Sequence, residues 1–201
     1  HIHIRKRSLT MEWWIILVIV LGAALLVGII FSIWWICTYN KLVRMENDVD
    51  EGYSTMDVYM KKRYDLIPNL VETVKGYAKH EKEALEDVMK ARYSCMTADN
   101  PTDKAKNENW LAGTLKSLFA VAENYPDLKA NQNYMEMMNS LQNIETEIAS
   151  SRKYYNGAVK SFNNKRETFP SNIVAKHYKF EEKVLFAIDD ISQRNAPKVE
   201  F

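Results

Sequence analysis

Residues 13–37, WWIILVIVLGAALLVGIIFSIWWIC, run for 25 positions without a charged side chain. At about 1.5 Å per residue such a helix reaches roughly 37 Å, enough to cross a hydrocarbon core of about 30 Å. Trp13 and Trp14 stand twenty-one residues before Trp34 and Trp35, which predicts an aromatic pair at each membrane interface. A buried core helix would not carry tryptophan pairs at both ends, and the apolar part of a cleaved signal peptide is shorter and ends in small residues. The residue before Cys37 is Ile36, where lipid attachment to that cysteine would want a small side chain.

Orientation depends on the start. HIHIRKRSLT places Arg5, Lys6 and Arg7 ahead of the span, and Met11 reads as the natural first residue, with residues 1–10 a non-native or upstream extension. From Met11, only Glu12 is charged before the span, while Lys41 and Arg44 follow it. The positive-inside rule then puts the N-terminus outside and the soluble part in the cytoplasm. If the first ten residues are genuine, the sign reverses.

Beyond the anchor (11–38), the chain has length for one soluble domain. Lys and Arg total 27 against 26 Asp and Glu, a near-neutral balance that excludes nucleic acid as a partner class. Cys37 and Cys95 lie far apart and form no CxxC pattern, so neither a disulfide framework nor a zinc site is read. Prolines at 68, 101, 126, 170 and 197 punctuate long stretches rich in Ala, Leu, Met, Lys and Glu. No alternating β-branched run or Asn-Gly turn occurs, so the fold class is all-α.

The clearest period lies in 131–170, where Tyr134, Leu141, Ile148, Tyr155, Phe162 and Phe169 recur at steps of seven and predict one long helix with a dry seam. Met137, Ile144 and Ala158 interleave; Ser151 and Lys165 break that second row. Leu42, Val49 and Met56, interleaved by Met45, Gly52 and Tyr59, repeat the logic directly after the span. Leu111, Leu115, Leu118 and Ala122 do so at steps of four, three and four. Short connections between long helices favour antiparallel neighbours, which predicts an antiparallel four-helix bundle over 39–170 with arms at 39–67, 68–96, 103–123 and 131–169. TADNPT (97–102) reads as a loop, Tyr125-Pro126-Asp127 as a corner and Asn131 as an N-cap. Residues 171–201, with the aromatics Tyr178, Phe180 and Phe186, read as a short helix plus an extended strap over the bundle, or as a mobile peptide.

RYDLIPNLVETVKGYAKHEKE (63–83) gathers the residue types of an active site. Proline suits the first turn of a helix, so Pro68 predicts a helix start, with Arg63 and Asp65 placed to suit two helix dipoles and Leu70, Val74, Tyr77, Ala84 and Val88 as a buried stripe. His80-Glu81 lacks the second histidine of HExxH, because position 84 is Ala84. No glutamate stands three residues before His80 or His177, as a di-metal bundle site would need. His80 is therefore read as a helix-surface histidine, and neither metal nor cofactor is expected. No GxSxG or glycine-rich phosphate loop is present, and Glu145 and Glu147 point to different sides of a helix. Asn156 and Asn163, seven apart beside the aromatic seam, read as rim amides able to bridge helices by hydrogen bonds.

The stretches KKRYDLIPNLVETVKGYAKHEKEALEDVMKAR (61–92), VAENYPDLKANQNY (121–134), ETEIASSRKYYNGAVKSFNNKRETFPSNIVA (145–175) and PKVEF (197–201), in that order behind an anchor, resemble the LemA family. The resemblance runs from about residue 39 to 201. It implies a single-pass protein of the bacterial inner membrane with a helical-bundle soluble domain, and no established reaction, cofactor or ligand. Arg63, Asp65, Pro68, Asn69, His80, Glu81, Asn156 and Asn163 carry over as family-motif residues, not catalytic ones. The function expected is a membrane-tethered scaffold or protein-interaction module: it contacts lipid through 13–37 and takes a membrane or envelope protein partner. The alternative is a small-ligand sensor whose pocket is lined by Tyr134, Tyr155 and Phe162.

Overall fold

The computed structural model describes residues 2–186, with side chains from Trp13 onward. Its elements are α1 (Ile2–Tyr77), α2 (Lys82–Met96), α3 (Pro101–Ala122), α4 (Pro126–Lys129), α5 (Gln132–Glu167) and α6 (Ser171–His177). Among the described residues there is no strand. Two compact units divide the chain: His1–Arg44 with Lys165–Phe180, and Met45–Asn164 with Glu181–Phe201. Helix α1 contributes to both.

In the first unit, the apolar run has no dry side. Trp13, Val18, Leu25, Ile30 and Ile36 are all more than half exposed, the pattern of a helix whose surroundings are apolar. It is the one described helix long and apolar enough to cross a membrane. At the end of that run Phe31, Trp34 and Trp35 cluster, with ring centroids 5.6 to 6.3 Å apart. The short helix α6 adds to this cluster: His177 meets the Trp35 ring edge-on at 5.6 Å, Trp35 Nε1 donates to the Tyr178 hydroxyl at 3.4 Å, and Tyr178 lies 4.4 Å from the Tyr39 ring. Helix α6 closes with Phe180 N–H on the Ala175 carbonyl (3.0 Å) and Lys179 at φ 56°. That is a left-handed helix cap usually given to glycine.

In the second unit the seams predicted from sequence are buried: Val49 and Met56 on α1, Leu111, Leu115, Leu118 and Ala122 on α3, and Tyr134, Leu141, Ile148, Tyr155 and Phe162 on α5. Contacts join α1 to α2, α3 and α5. Gly52 allows the closest approach, because a Cβ there would lie 3.1 Å from the Tyr154 ring and 3.2 Å from the Tyr155 Cα. Beside it the Tyr53 and Tyr155 rings meet edge-on at 5.7 Å. Helix α3 starts on a reciprocal cap: Asp103 N–H donates to Asn100 Oδ1 (2.8 Å), Asn100 Nδ2 donates to Asp103 Oδ2 (2.7 Å), and Pro101 takes the first turn. Asn131 caps α5 by accepting from Tyr134 N–H at 2.9 Å, as its position predicts.

Several sequence expectations are corrected, among them the buried stripe of residues 70–88, in which Tyr77 is 42% exposed at the end of α1 while Ala84 and Val88 belong to α2. Pro68 does not begin a helix; it lies inside α1, which continues to Tyr77, and the reversal falls at residues 78–81. A proline cannot donate to the carbonyl four residues back. Here that Tyr64 carbonyl accepts instead from Arg92 Nε of α2, at 2.7 Å, so the helix passes through the proline without a buried orphan acceptor. The seven-residue seam stops at Phe162, since α5 ends at Glu167 ahead of Pro170 and Phe169 is 75% exposed. The corner at Tyr125-Pro126-Asp127 is the start of a one-turn helix, α4.

Candidate functional site

The most unusual chemistry in the second unit is a buried charge cluster. Met56, Met60, Arg63, Ile67, Leu70 and Val74 follow one another at steps of three and four along α1, so the helical period that buries the apolar members buries Arg63 with them, at 1% exposure. On α3, Glu108 stands three residues before Leu111 in the Leu111–Leu115–Leu118–Ala122 row and is equally buried. The two meet as an ion pair, and Tyr64 donates its hydroxyl to the same Glu108 carboxylate. Arg63 Nη1 also reaches Glu145 Oε1 of α5 at 2.5 Å. One guanidinium thus engages carboxylates from two helices, a geometry its planar fork suits.

Around this centre, burial sets the titration. It pushes the Tyr64 phenol well above its ordinary value, with neighbouring Cys95 adding to the rise and Arg63 opposing it. Burial likewise raises the Cys95 thiol, to about 11, against opposing pulls from Arg63, a Tyr64 hydrogen bond and Lys104. Arg152 is lowered, chiefly by burial and then by the Arg63 charge. A second link between α1 and α3, Lys104 with Asp57, flanks the cluster. The hydrogen bonds and ion pairs of the cluster run between helices α1, α3 and α5, an arrangement that fixes those helices against one another.

The sequence-predicted residues do not assemble into one site. Arg63 is interior, not part of an exposed turn. Asp65 and Asn69 are exposed and Pro68 is half-buried, all within α1. Tyr77 lies fourteen residues beyond Arg63, roughly 21 Å along a helix, and His80 and Glu81 form the reversal just past it. There Glu81 accepts from the Tyr125 hydroxyl at 3.2 Å and Asn131 donates to the Tyr77 hydroxyl at 3.0 Å, tying the α1–α2 reversal to the start of α5. His80 is exposed. Among the described residues no group of three or more His, Cys, Asp and Glu is placed to hold a metal ion.

Asn156 and Asn163 do come together, on a partner the sequence reading did not name. Each uses both faces of its amide on the main chain of the extended segment 181–186, not on another helix. Asn163 donates to the Lys183 carbonyl (2.8 Å) and accepts from Lys183 N–H (3.0 Å). Asn156 does the same with Phe186, at 3.1 and 2.9 Å. Between them the Tyr155 hydroxyl donates to the Val184 carbonyl at 2.7 Å. Seven helical residues rise about 10.5 Å and three extended residues span about 10 Å, so the two spacings coincide. Side chains fix the ends: Phe186 is 1% exposed with the Arg152 guanidinium 5.3 Å from its ring centre, and Lys183 Nζ reaches Glu46 at 2.7 Å above the Phe162 ring. These contacts make the strap a bound peptide in form.

Residues missed by sequence reasoning are Glu108, Arg92 and Lys183. For Glu108 a signal exists, a carboxylate in register with an apolar row.

The chain is 26% identical to protein LemA of Metamycoplasma hominis over 84% of its own length and 77% of that protein's. It is 28% identical to magnetosome protein MamQ 2 of Paramagnetospirillum magneticum over 68% of its length, and that match spans 60% of the magnetosome protein. Magnetosome protein MamQ of Magnetospirillum gryphiswaldense is 27% identical over 62% of this chain and 56% of its own. None of these names carries a reaction. The LemA family profile matches residues 52–201, which takes in the buried charge cluster and the asparagine-held strap, and the chain belongs to the LemA family.

Proposed function

We propose that this protein is a non-enzymatic, membrane-tethered interaction module. Its anchor crosses the bacterial inner membrane through residues 13–37, and its soluble part is an antiparallel four-helix bundle built from α2, α3, α5 and the second half of α1. The supporting contacts are Tyr64–Arg92 for α1 with α2, Arg63–Glu108 for α1 with α3, Arg63–Glu145 for α1 with α5, and Asn107 Nδ2 on the Ser94 carbonyl (2.8 Å) for α2 with α3. The observation that carries the reading is how the polar groups of the interior are used. Arg63, Glu108, Tyr64 and Arg92 bind one another, Glu145 or main chain, an arrangement that supports a rigid surface. A cytoplasmic bundle is the orientation that keeps Lys41 and Arg44, directly after the span, on the inner side of the membrane. Asp65, Asn69, His80 and Glu81 are the exposed or half-exposed motif residues offered to a protein partner. Crosslinking in native membranes with mass spectrometry is expected to recover one reproducible membrane protein, with links concentrated on those residues. Recovery of none at native expression would overturn the reading, and cysteine accessibility on each side of the span tests its orientation.

A second reading, small-ligand binding, is favoured by one groove. The aromatic residues Tyr155 and Phe162 are occupied by the strap, but a groove of about 680 Å³ runs between α1 and α2, lined by Val71, Leu85 and Met89 and edged by Lys75, Lys79, Lys82, Glu86 and Lys90, of which Lys90 pairs with Glu86 at 3.7 Å. Apolar walls under a lysine rim suit an amphiphile with an anionic head. Protection of these lysines from acetylation by a fatty acid, but not by the corresponding alcohol, would support it; equal exposure in both would remove it.

A further inference from the structure

The strap sequence occurs twice. Residues 182–186 read EKVLF, and residues 197–201 read PKVEF, sharing Lys-Val-x-Phe at one spacing. Two of the shared positions, the lysine and the phenylalanine, are those whose side chains the strap's seat uses. Lys183 is held at its main chain by Asn163 and at its ammonium by Glu46, with Asp50 at 3.8 Å. Val184 gives its carbonyl to Tyr155, and Phe186 is buried under Arg152. The position that differs, Leu185 against Glu200, corresponds to a side chain 40% exposed in the strap, where a carboxylate has water to face.

We propose that the face of α5 bearing Tyr155, Asn156 and Asn163 is a docking site for extended Lys-x-x-Phe peptides, and that Lys198–Phe201 of the same chain is its alternative occupant, exchanging with Lys183–Phe186. Four of the five hydrogen bonds come from two asparagine amides and the fifth from a tyrosine, and all go to main chain, so any extended segment satisfies them. Selectivity comes from the two end pockets, an acidic one from Glu46 and Asp50 for the lysine and an enclosed one for the phenylalanine. Exchange moves the register by fifteen residues. The seventeen residues 181–197 then form the connection, and because closure entropy grows only with the logarithm of loop length, the nearer segment holds the seat by default without excluding the farther one. The tail thereby has two tied states, one with 183–186 seated and one with that segment released.

The test uses the full chain in lipid nanodiscs carrying a benzoylphenylalanine crosslinker in place of Glu200, with crosslinked peptides mapped by mass spectrometry. Phe186→Ala weakens the resident strap, and crosslinks to the part of α5 around residues 152–163 are expected to rise about tenfold or more, as deleting a buried aromatic ring shifts a competition by at least that factor. Adding Asn156→Ala and Asn163→Ala should abolish them while helicity by circular dichroism is kept. In case that variant does not fold, excess acetylated APKVEF peptide should suppress the crosslinks of the Phe186→Ala protein, and APKVEA should not. No rise with Phe186→Ala, equal suppression by both peptides, or crosslinks that survive loss of both asparagines in a folded protein would each overturn the proposal. Mixing light and heavy isotope-labelled protein identifies the source: light–light and heavy–heavy products alone are expected, and mixed products would overturn the same-chain assignment in favour of a second copy.

Discussion

Arg92 Nε donates to the Tyr64 carbonyl at 2.7 Å, occupying the acceptor that Pro68 leaves open inside α1. Arg92→Met keeps length and apolar contact but removes the donor, and is expected to destabilise the protein by about 1–3 kcal/mol. In a Pro68→Ala background the new N–H of residue 68 can serve the same carbonyl, so Arg92→Met should cost less than half as much there. A double-mutant cycle by chemical denaturation reads this directly; additive effects would mean that Arg92 acts elsewhere.

The Arg63–Glu108 pair has both side chains at or near zero exposure. Breaking a buried pair strands the surviving charge, so Arg63→Met and Glu108→Gln are each expected to cost about 3–5 kcal/mol. The double variant should cost clearly less than their sum, because neither charge is then left alone. Thermal unfolding followed by circular dichroism distinguishes this from independent losses.

Two glycines should respond oppositely to one added methyl. At Gly113 a Cβ meets nothing within 4 Å, so Gly113→Ala should gain about 0.5–1 kcal/mol from helix propensity. At Gly52 the same methyl presses on the Tyr155 backbone and the Tyr154 ring, and overpacking of about 1–3 kcal/mol offsets or exceeds that gain. Gly52→Ala should therefore be neutral to destabilising, and Gly52→Val clearly worse. Melting temperatures of the three variants, measured side by side, check the ordering.

Cys95 has its thiol raised from the ordinary 9.0 to about 11, mainly by burial. Its folded form therefore holds the proton more tightly than its unfolded form. The resulting stability is fully present below pH 9 and is lost as pH rises through 11. Cys95→Ala should flatten the alkaline limb of a stability profile between pH 8.5 and 11, whatever its cost at neutral pH. In the native protein at pH 8, Cys95 should label with a thiol reagent only as fast as the fold opens.

Much of the helical content was legible because the signals are local and repetitive. Tyr134, Leu141, Ile148, Tyr155 and Phe162 mark one face by period alone, and Asn131 caps because its side chain serves an amide three residues on. Pro68 was misread because the rule that ends helices at proline assumes the lost bond stays lost, whereas here it is replaced by a residue twenty-four positions downstream. Arg63 was assigned to a helix end by its charge, although its spacing from Met56, Met60 and Ile67 placed it in the seam. The seven-residue repeat continued on paper to Phe169 because a period carries no information about where Pro170 stops the helix. The strap was foreseen but not its seat, since an extended segment held by side-chain amides has no period of its own; the record of the seat in the sequence was the spacing of Asn156 and Asn163.

The asparagine seat has a consequence for how this chain can change over generations. Because the amides grip peptide groups, which every residue supplies, substitutions at Val184 and Leu185 alter the outward character of the tail without loosening it. Drift in the holder is far more constrained: a single residue inserted in α5 between Asn156 and Asn163 would swing one amide by about 100° around the helix relative to the other, so that the two could no longer grip the strap together. Across relatives that keep the strap, the interval between the two asparagines should be held fixed while the segment lying on them diverges.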